Sequence, residues 1–393
     1  MWKLTLSKLN YLYLFFVIIW PSISGYVGVD GRGRMVMIST LFVLFVNITM
    51  DRSFGWRLTK SPTIYWGIWI IYVLINALFK GYNDVTFDIF FMSIFLPFAV
   101  MLMVSTEYLK NSRFLLKVLL FSLIIFGLFG ISTNSFSDSD RLMSELGNSL
   151  PLTMVTLSVV ACVMYVRNEL KIQWLIPILL FVIYIIVMAA TRKALGAIGL
   201  VFIFTLLAKM DIRSPKTIFL ILISSIVLYI GVDFILENTF MGERLMETEE
   251  QGESGNTTDI KILNILGDRA SQYIGGWNAF IENHITGIGL NNYQEYTGSF
   301  YRLHTEYIVQ LAELGLIGFI IFTTFYYKIA IGLIRIRKSP LSILLIGVLG
   351  AVMFINLTAW THSFAHYFIL FGIMIGHIEK REMMIFYKKN RLR

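Results

Sequence analysis

The sequence predicts an all-α, polytopic membrane protein with about 12 transmembrane helices and one large extracytoplasmic loop. Hydrophobic residues make up 56% of the 393 positions, charged residues make up only 15%, and the mean hydropathy is +0.71. A soluble domain usually carries about 25% charged residues. The composition therefore indicates a lipid environment, and long apolar runs separated by short basic segments predict helices that cross it.

The apolar runs define the predicted spans. A helix needs roughly 17–25 predominantly apolar residues to cross a bilayer. The first run follows Lys3 and Lys8 and so also has signal-peptide character, but its length favours retention as the first span. The predicted spans are 11–29, 35–50, 63–79, 87–104, 114–131, 149–166, 174–190, 194–208, 217–236, 307–333, 341–357 and 364–377.

The basic residues predict the orientation of these spans. With a cytoplasmic N-terminus, most of the 33 basic residues fall in inside segments, including Arg335–Lys338 and the C-terminal tail, as the positive-inside rule requires. The net charge of +8 is thus explained by the membrane, and no nucleic-acid partner is expected. The same rule favours a hairpin broken at Arg192 within residues 174–208. An arginine at mid-bilayer would cost at least about 2.5–3.5 kcal/mol.

The spans divide the chain into three predicted parts. These are helices one to nine in residues 1–236, a large extracytoplasmic loop in 237–306, and the last three helices with a basic cytoplasmic tail in 307–393. The loop is too aromatic for plain disorder. An amphipathic helix on the bilayer surface is predicted within it, because apolar residues recur at helical spacing: Ala270, Ile274, Trp277 and Ile281.

Residues 267–318 hold the motifs that point to a function. His304-Thr305 is followed by nine residues, Gly315, two residues and Gly318. The loop before it carries an arginine, a tryptophan and a Gly-x-Gly at Arg269, Trp277, Gly287 and Gly289, and an arginine turn stands at Arg192.

This arrangement resembles the O-antigen ligase and O-antigen polymerase family, bacterial GT-C-like membrane enzymes that transfer lipid-linked glycans. The resemblance extends over the topology of the whole chain. It implies an active site on the outer side built from His304, Arg192 and Arg269. It further implies that no metal or other cofactor is used.

The chemistry of the residues agrees with that implication. A helix beginning near His304 would place it on one stripe with Leu311, Gly315 and Gly318, and the positive end of the helix dipole would disfavour the imidazolium. A neutral imidazole can act as a general base. Glu313 falls nearly opposite and is expected to pack rather than to partner the histidine. The alternative for His304 is an ordinary interfacial histidine with a satisfied hydrogen bond.

Arginine suits a diphosphate, because the guanidinium is always charged and binds phosphate oxygens bidentately. Arg192 and Arg269 are therefore the predicted diphosphate ligands. The alternatives are a rim-anchoring role for Arg192 and a solvated loop charge for Arg269. His362 and His366 stand four apart, as a zinc pair would, but with no third ligand a metal site is not expected. The further substrate-binding candidates are Arg141, Lys193, Arg302 and Trp277.

The predicted function is polymerisation of undecaprenyl-diphosphate-linked oligosaccharide units of O-antigen or a related surface polysaccharide, in the bacterial inner membrane. The pair Arg192-Lys193 resembles polymerase-like members and favours this interpretation over a ligase that transfers the glycan to lipid A core. A lipid-linked glycan transporter is the alternative of another class. The expected partners are the glycan donor and acceptor, membrane lipid and a chain-length regulator.

Overall fold

The fold is a helical bundle, seen here in a computed structural model. The structure describes residues 5–27, 32–51, 54, 62–80, 91–132, 135–136, 142–143, 149–189, 191–209, 270–299 and 302–391. Two predicted site residues, Arg141 and Arg269, and the predicted span 217–236 lie outside these residues.

Long helices account for most of the described chain. Two short helices also lie in the described chain, and a two-residue antiparallel ladder pairs β1 (Ser135–Phe136) with β2 (Leu142–Met143). The helices are α1 (Leu6–Val27), α2 (Arg32–Met50), α3 (Thr63–Lys80), a π-helical turn (Phe91–Phe95) that leads into α4 (Leu96–Ser132), α5 (Ser149–Val166), α6 (Ile172–Met188), α7 (Arg192–Lys209), α8 (Ala270–Glu282), α9 (Tyr293–Thr297), α10 (Glu306–Arg335), α11 (Pro340–Asn356) and α12 (Ala365–Arg391).

Each predicted span within the described residues coincides with a helix to within several residues, although α12 continues well past the predicted end. Spans 87–104 and 114–131 both fall in α4, which is broken at Asn111 (φ −148°, ψ 77°). The Asn111 side chain accepts a hydrogen bond from the Phe114 amide at 3.1 Å and so caps the second segment. The two predicted spans are therefore two helical segments.

The described chain has three helices long and apolar enough to cross a membrane: Thr63–Lys80, Phe91–Ser132 and Glu306–Arg335. Shorter apolar helices accompany them. The composition and the helices together support a membrane protein, and the count of 12 crossings stays a prediction.

Glycines let several helices approach closely, as is common between membrane helices. α12 packs along α4, and α11 packs along α7. A Cβ added at Gly372 of α12 would lie 2.6 Å from the Cβ of Val104, and one added at Gly376 would lie 2.9 Å from the Cβ of Tyr108. These two contacts fix the distance between α12 and α4.

The hairpin predicted at Arg192 is confirmed. α6 ends at Met188, Ala189 caps it, and α7 begins at Arg192. The Thr191 hydroxyl donates to the Ala189 carbonyl at 3.1 Å within the turn. Arg192 therefore begins a helix at the end of the bundle rather than lying inside a longer one.

Candidate active site

Two of the predicted site segments meet at one turn. We call residues 356–362, which follow α11, the outer turn. Lys193 donates from Nζ to the Thr358 carbonyl at 3.3 Å, and the Thr305 hydroxyl donates to the Asn356 carbonyl at 3.2 Å. The neighbours of these residues in sequence, Arg192 and His304, are thereby brought to the same end of the bundle.

The loop helix α8 reaches the same turn. Its Tyr273 donates a hydrogen bond from the hydroxyl to the Leu357 carbonyl at 2.7 Å. The other face of α8 leaves Ile274, Trp277 and Ile281 about half exposed, at 45%, 48% and 56%. The predicted helix is confirmed, and its position on the bilayer surface stays a prediction. Because Trp277 lies on this apolar face, its placement suits contact with lipid, and its substrate-binding role stays a prediction.

Arg302 is held beside His304 by two contacts. Its Nε donates to the Gln294 side-chain oxygen at 3.0 Å, and its guanidinium carbon lies 5.7 Å from the centre of the Trp360 ring. A cation over an indole face is attracted by the ring quadrupole. Arg302, Gln294 and Trp360 line a small pocket, and Glu313 is also part of its wall. Arg302 is thus an exposed but positioned cation two residues before the histidine.

His304 lies in an extended segment just before α10, and its side chain is partly exposed. The predicted helical stripe through His304, Leu311, Gly315 and Gly318 is wrong. The helix begins only at Glu306, and Gly315 has φ 66° and ψ −169°, which breaks the helical period. His304 is thus partly exposed, and its role as a general base stays a prediction.

The break at Gly315 is where the Gly-x-Gly segment docks. The amide of Ile288 donates to the Ala312 carbonyl at 3.0 Å, and the amide of Gly289 donates to the Glu313 carbonyl at 2.8 Å. In return, the amide of Leu316 donates to the His284 carbonyl at 2.8 Å. The broken helix and the loop thus satisfy each other's backbone groups, as a buried backbone requires.

Only glycine fits this junction. The backbone of Gly315 lies in a region that is essentially restricted to glycine. A Cβ there would lie 2.4 Å from the Ile285 carbonyl oxygen, and a Cβ at Gly287 would lie 2.3 Å from the Glu313 carbonyl. Gly287 and Gly315, which both belong to the sequence motif, therefore lie on opposite sides of one close backbone contact.

Polar side chains hold the junction from both sides. Tyr72 of α3 donates to the Leu314 carbonyl at 2.8 Å, and Asn76 donates to the Thr286 carbonyl at 2.7 Å. The Glu313 carboxylate accepts the Asn291 amide at 2.8 Å. Glu313 thus has the packing role expected of it.

A buried carboxylate at the start of α10 fixes the outer turn. Glu306 is fully buried and accepts hydrogen bonds from the backbone amides of Thr361 and His362, the second at 3.1 Å. The His362 Nδ1 lies 3.0 Å from one carboxylate oxygen, and Gln310 donates to the same oxygen at 2.8 Å. The Trp69 indole in turn donates to Gln310 at 2.9 Å.

The surrounding network shifts the pKa of His362. Burial lowers the pKa of His362, but the adjacent Glu306 carboxylate raises it more strongly, so the pKa is raised overall above its ordinary value. Glu306, two residues after His304, and His362 thus form a buried carboxylate–histidine pair. Sequence reasoning missed this pair. The available signal was an acidic residue two positions after the motif histidine in an otherwise apolar run.

A stretch of the chain that includes His304 and Glu306, but not His362, matches a known family model, described as O-Antigen ligase. The match covers residues 177–323 and supports the O-antigen ligase and polymerase family. The resemblance inferred from the motifs is therefore confirmed for this stretch. No curated protein matches the chain.

The family match runs from within α6 to within α10. It includes the candidates Arg192, Lys193, Arg302 and His304 and the glycine junction. It thus supports a membrane enzyme of the O-antigen ligase type at the level of the family.

Proposed function

We propose that the protein is a membrane glycosyltransferase that polymerises oligosaccharide units linked to undecaprenyl diphosphate. The observation that carries the proposal is the convergence of the Arg192-Lys193 turn and the His304-Thr305 segment on the outer turn. Both segments, though not the outer turn itself, lie in the region that matches the family. A guanidinium and an imidazole at one end of a bundle supply the groups needed to hold a diphosphate and to accept a proton.

In the proposed reaction His304 takes the proton of an acceptor sugar hydroxyl. The oxygen attacks the anomeric carbon, a new glycosidic bond forms, and the bond from that carbon to the phosphate oxygen breaks. The lipid diphosphate leaves with the electron pair. Arg192 and Arg269 stabilise the charge that develops on it, an electrostatic role comparable with that of an oxyanion hole. Direct displacement inverts the anomeric configuration, and the two arginines supply the positive charge without a metal ion.

The proposed site faces the periplasm and the enzyme lies in the inner membrane. The support is the distribution of charge: at the end of the bundle opposite the outer turn, basic residues such as Arg167, Lys380 and Arg381 cluster. A cytoplasmic excess of lysine and arginine is the usual orientation signal.

A ligase is the second candidate, because the matching family model is described as O-Antigen ligase. The preference for a polymerase rests on the Arg192-Lys193 pair. The Lys193 ammonium holds the Thr358 carbonyl, and this contact gives it a role in fixing the outer turn under either function. Supplying the purified protein with a lipid-linked repeat unit or with lipid A core as acceptor distinguishes the two.

The test of glycosyl transfer is release of lipid diphosphate by the purified protein in liposomes. Arg192→Ala is expected to lower the rate about 10²–10³-fold, the range seen when one group stabilising an oxyanion is lost. Arg192→Lys should recover part of it, because the charge stays and the bidentate geometry is lost.

The matched control is Arg337→Ala, an exposed arginine just beyond the C-terminal end of α10, which should leave the rate unchanged. A transporter would move the lipid-linked glycan across the bilayer without releasing lipid diphosphate. Wild-type protein that moves the intact donor and forms no glycosidic bond would reject the enzymatic proposal.

A further inference from the structure

A cavity lined by basic residues lies at the end of the bundle opposite the outer turn. It has a volume of about 370 Å³ and opens between the end of α5, the start of α11 and the later part of α12. Ligand pockets in proteins typically have about 300–1,000 Å³. The glycosyl transfer proposed above makes no use of this cavity.

Three cations line the cavity: Arg167, Lys380 and Arg381. Among the lining residues one carboxylate, Glu169, faces them, and it lies 2.7 Å from Arg167. The lining therefore carries excess positive charge. A multivalent anion is the ligand that this charge favours.

Hydroxyl groups position these cations. Arg167 donates to the Tyr108 hydroxyl at 3.0 Å and to Ser112 at 2.9 Å, and Lys380 donates to the same serine at 3.3 Å. Arg381 donates to the Ser339 hydroxyl at 3.0 Å. A hydroxyl orients a cation without neutralising it, so the charge remains available to a ligand.

The remaining wall is apolar. Val166 and Leu341 line the cavity together with Met384. Met384 itself is an exposed apolar side chain, at 46%. A charged recess beside an exposed apolar surface matches a molecule with an anionic head and an apolar tail.

We propose that this cavity binds a phosphate group. Two sources share that chemistry, the headgroup of an anionic phospholipid and free inorganic phosphate. Basic pockets between membrane helices at the cytoplasmic surface are suited to anionic lipid headgroups, and arginine binds phosphate oxygens through paired N–H groups.

Native mass spectrometry of the full chain tests the proposal, with phosphatidylglycerol, zwitterionic phosphatidylethanolamine and sodium phosphate as separate probes. Lys380→Gln and Arg381→Gln should each weaken phosphatidylglycerol binding about fivefold, the effect of one basic residue at an anionic surface. Phosphatidylethanolamine binding should not change. Loss of sodium phosphate binding in the same variants, with no preference for phosphatidylglycerol, would identify free phosphate as the source.

Two variants control for charge and for folding. Lys338→Gln removes an exposed cation that does not line the cavity, and it should bind as the wild type does. Lys380→Arg keeps the charge and should keep the affinity, which separates lost binding from lost folding. Equal binding of both phosphatidylglycerol and sodium phosphate by the wild type and the Lys380→Gln, Arg381→Gln double variant would overturn the proposal.

Discussion

At the scale of single residues, the carboxylate of Glu306 organises the outer turn. It joins the start of α10 to His362 and to the amide of Thr361. Taking one partner from a buried ion pair leaves the other charge uncompensated, which costs more than the pair itself contributes. The pair therefore matters for the position of His304, two residues before Glu306.

His362→Ala is expected to lower the free energy of unfolding by about 3–5 kcal/mol, because Glu306 would keep a buried charge without its cation. Thermal unfolding in detergent measures the loss. His284→Ala is the control, since His284 is an exposed histidine of the same loop region. Equal unfolding temperatures for the two variants would show that the buried pair has no structural role.

The pair also predicts a pH dependence. The pKa of His362 is raised above its ordinary value in the folded protein, so the folded state binds the proton more tightly than the unfolded chain. The resulting stability is fully present below about pH 6.5, the value of an unperturbed histidine, and is lost as pH rises through the folded pKa.

Unfolding temperatures of the wild type and of His362→Ala, measured between pH 6 and pH 9, test this dependence. The difference between them should be largest at the acidic end and should shrink as pH rises. A difference that grows with pH would contradict the raised pKa.

At the scale of the element, α10 is the helix whose form the sequence predicted least well. The spacing from His304 to Gly315 and Gly318 fits a helical stripe, yet Gly315 breaks the helix and receives the Gly287–Gly289 segment. A periodic pattern cannot reveal the break, because a contact 28 residues distant in sequence, Gly287 to Gly315, stabilises it. By contrast, loop charge alone located the α6–α7 hairpin, because an arginine within a span is costly.

Gly315→Ala should destabilise this junction, because the added Cβ meets the Ile285 carbonyl oxygen and the backbone conformation is restricted to glycine. The expected cost is at least about 1–3 kcal/mol, with loss of glycosyl transfer. Gly199→Ala on α7 is the control, since no atom lies within 4 Å of its added Cβ. Transfer and unfolding temperature unchanged in Gly315→Ala would show that the junction is not needed.

The contact of α12 with α4 gives a second prediction at this scale. Gly372→Ala places a methyl group 2.6 Å from the Cβ of Val104 and 2.9 Å from the Met101 carbonyl oxygen. Overpacking of this kind costs typically about 1–3 kcal/mol. Gly350→Ala, where nothing lies within 4 Å, controls for the change in helix propensity. Thermal unfolding should separate the two variants, and equal stability would contradict the close helix packing.

At the scale of the whole molecule, the two ends of the bundle differ in chemistry. The outer turn gathers the Arg192-Lys193 turn, α8 and the His304-Thr305 segment, whereas the opposite end gathers Arg167, Lys380 and Arg381. Composition and the charges of the loops predict that the two ends of the bundle differ in this way. They do not predict the buried Glu306–His362 pair, since a lone acidic residue in an apolar run has no pattern that identifies its partner.

The most direct test of the account is single-turnover glycosyl transfer by His304→Ala compared with His284→Ala, both purified and reconstituted with a glycan linked to lipid diphosphate. General-base catalysis contributes typically about 10²–10⁴-fold. The account predicts a loss of that size for His304→Ala, with normal folding and donor binding, and an unchanged rate for His284→Ala. A fully active His304→Ala protein would contradict the proposed site.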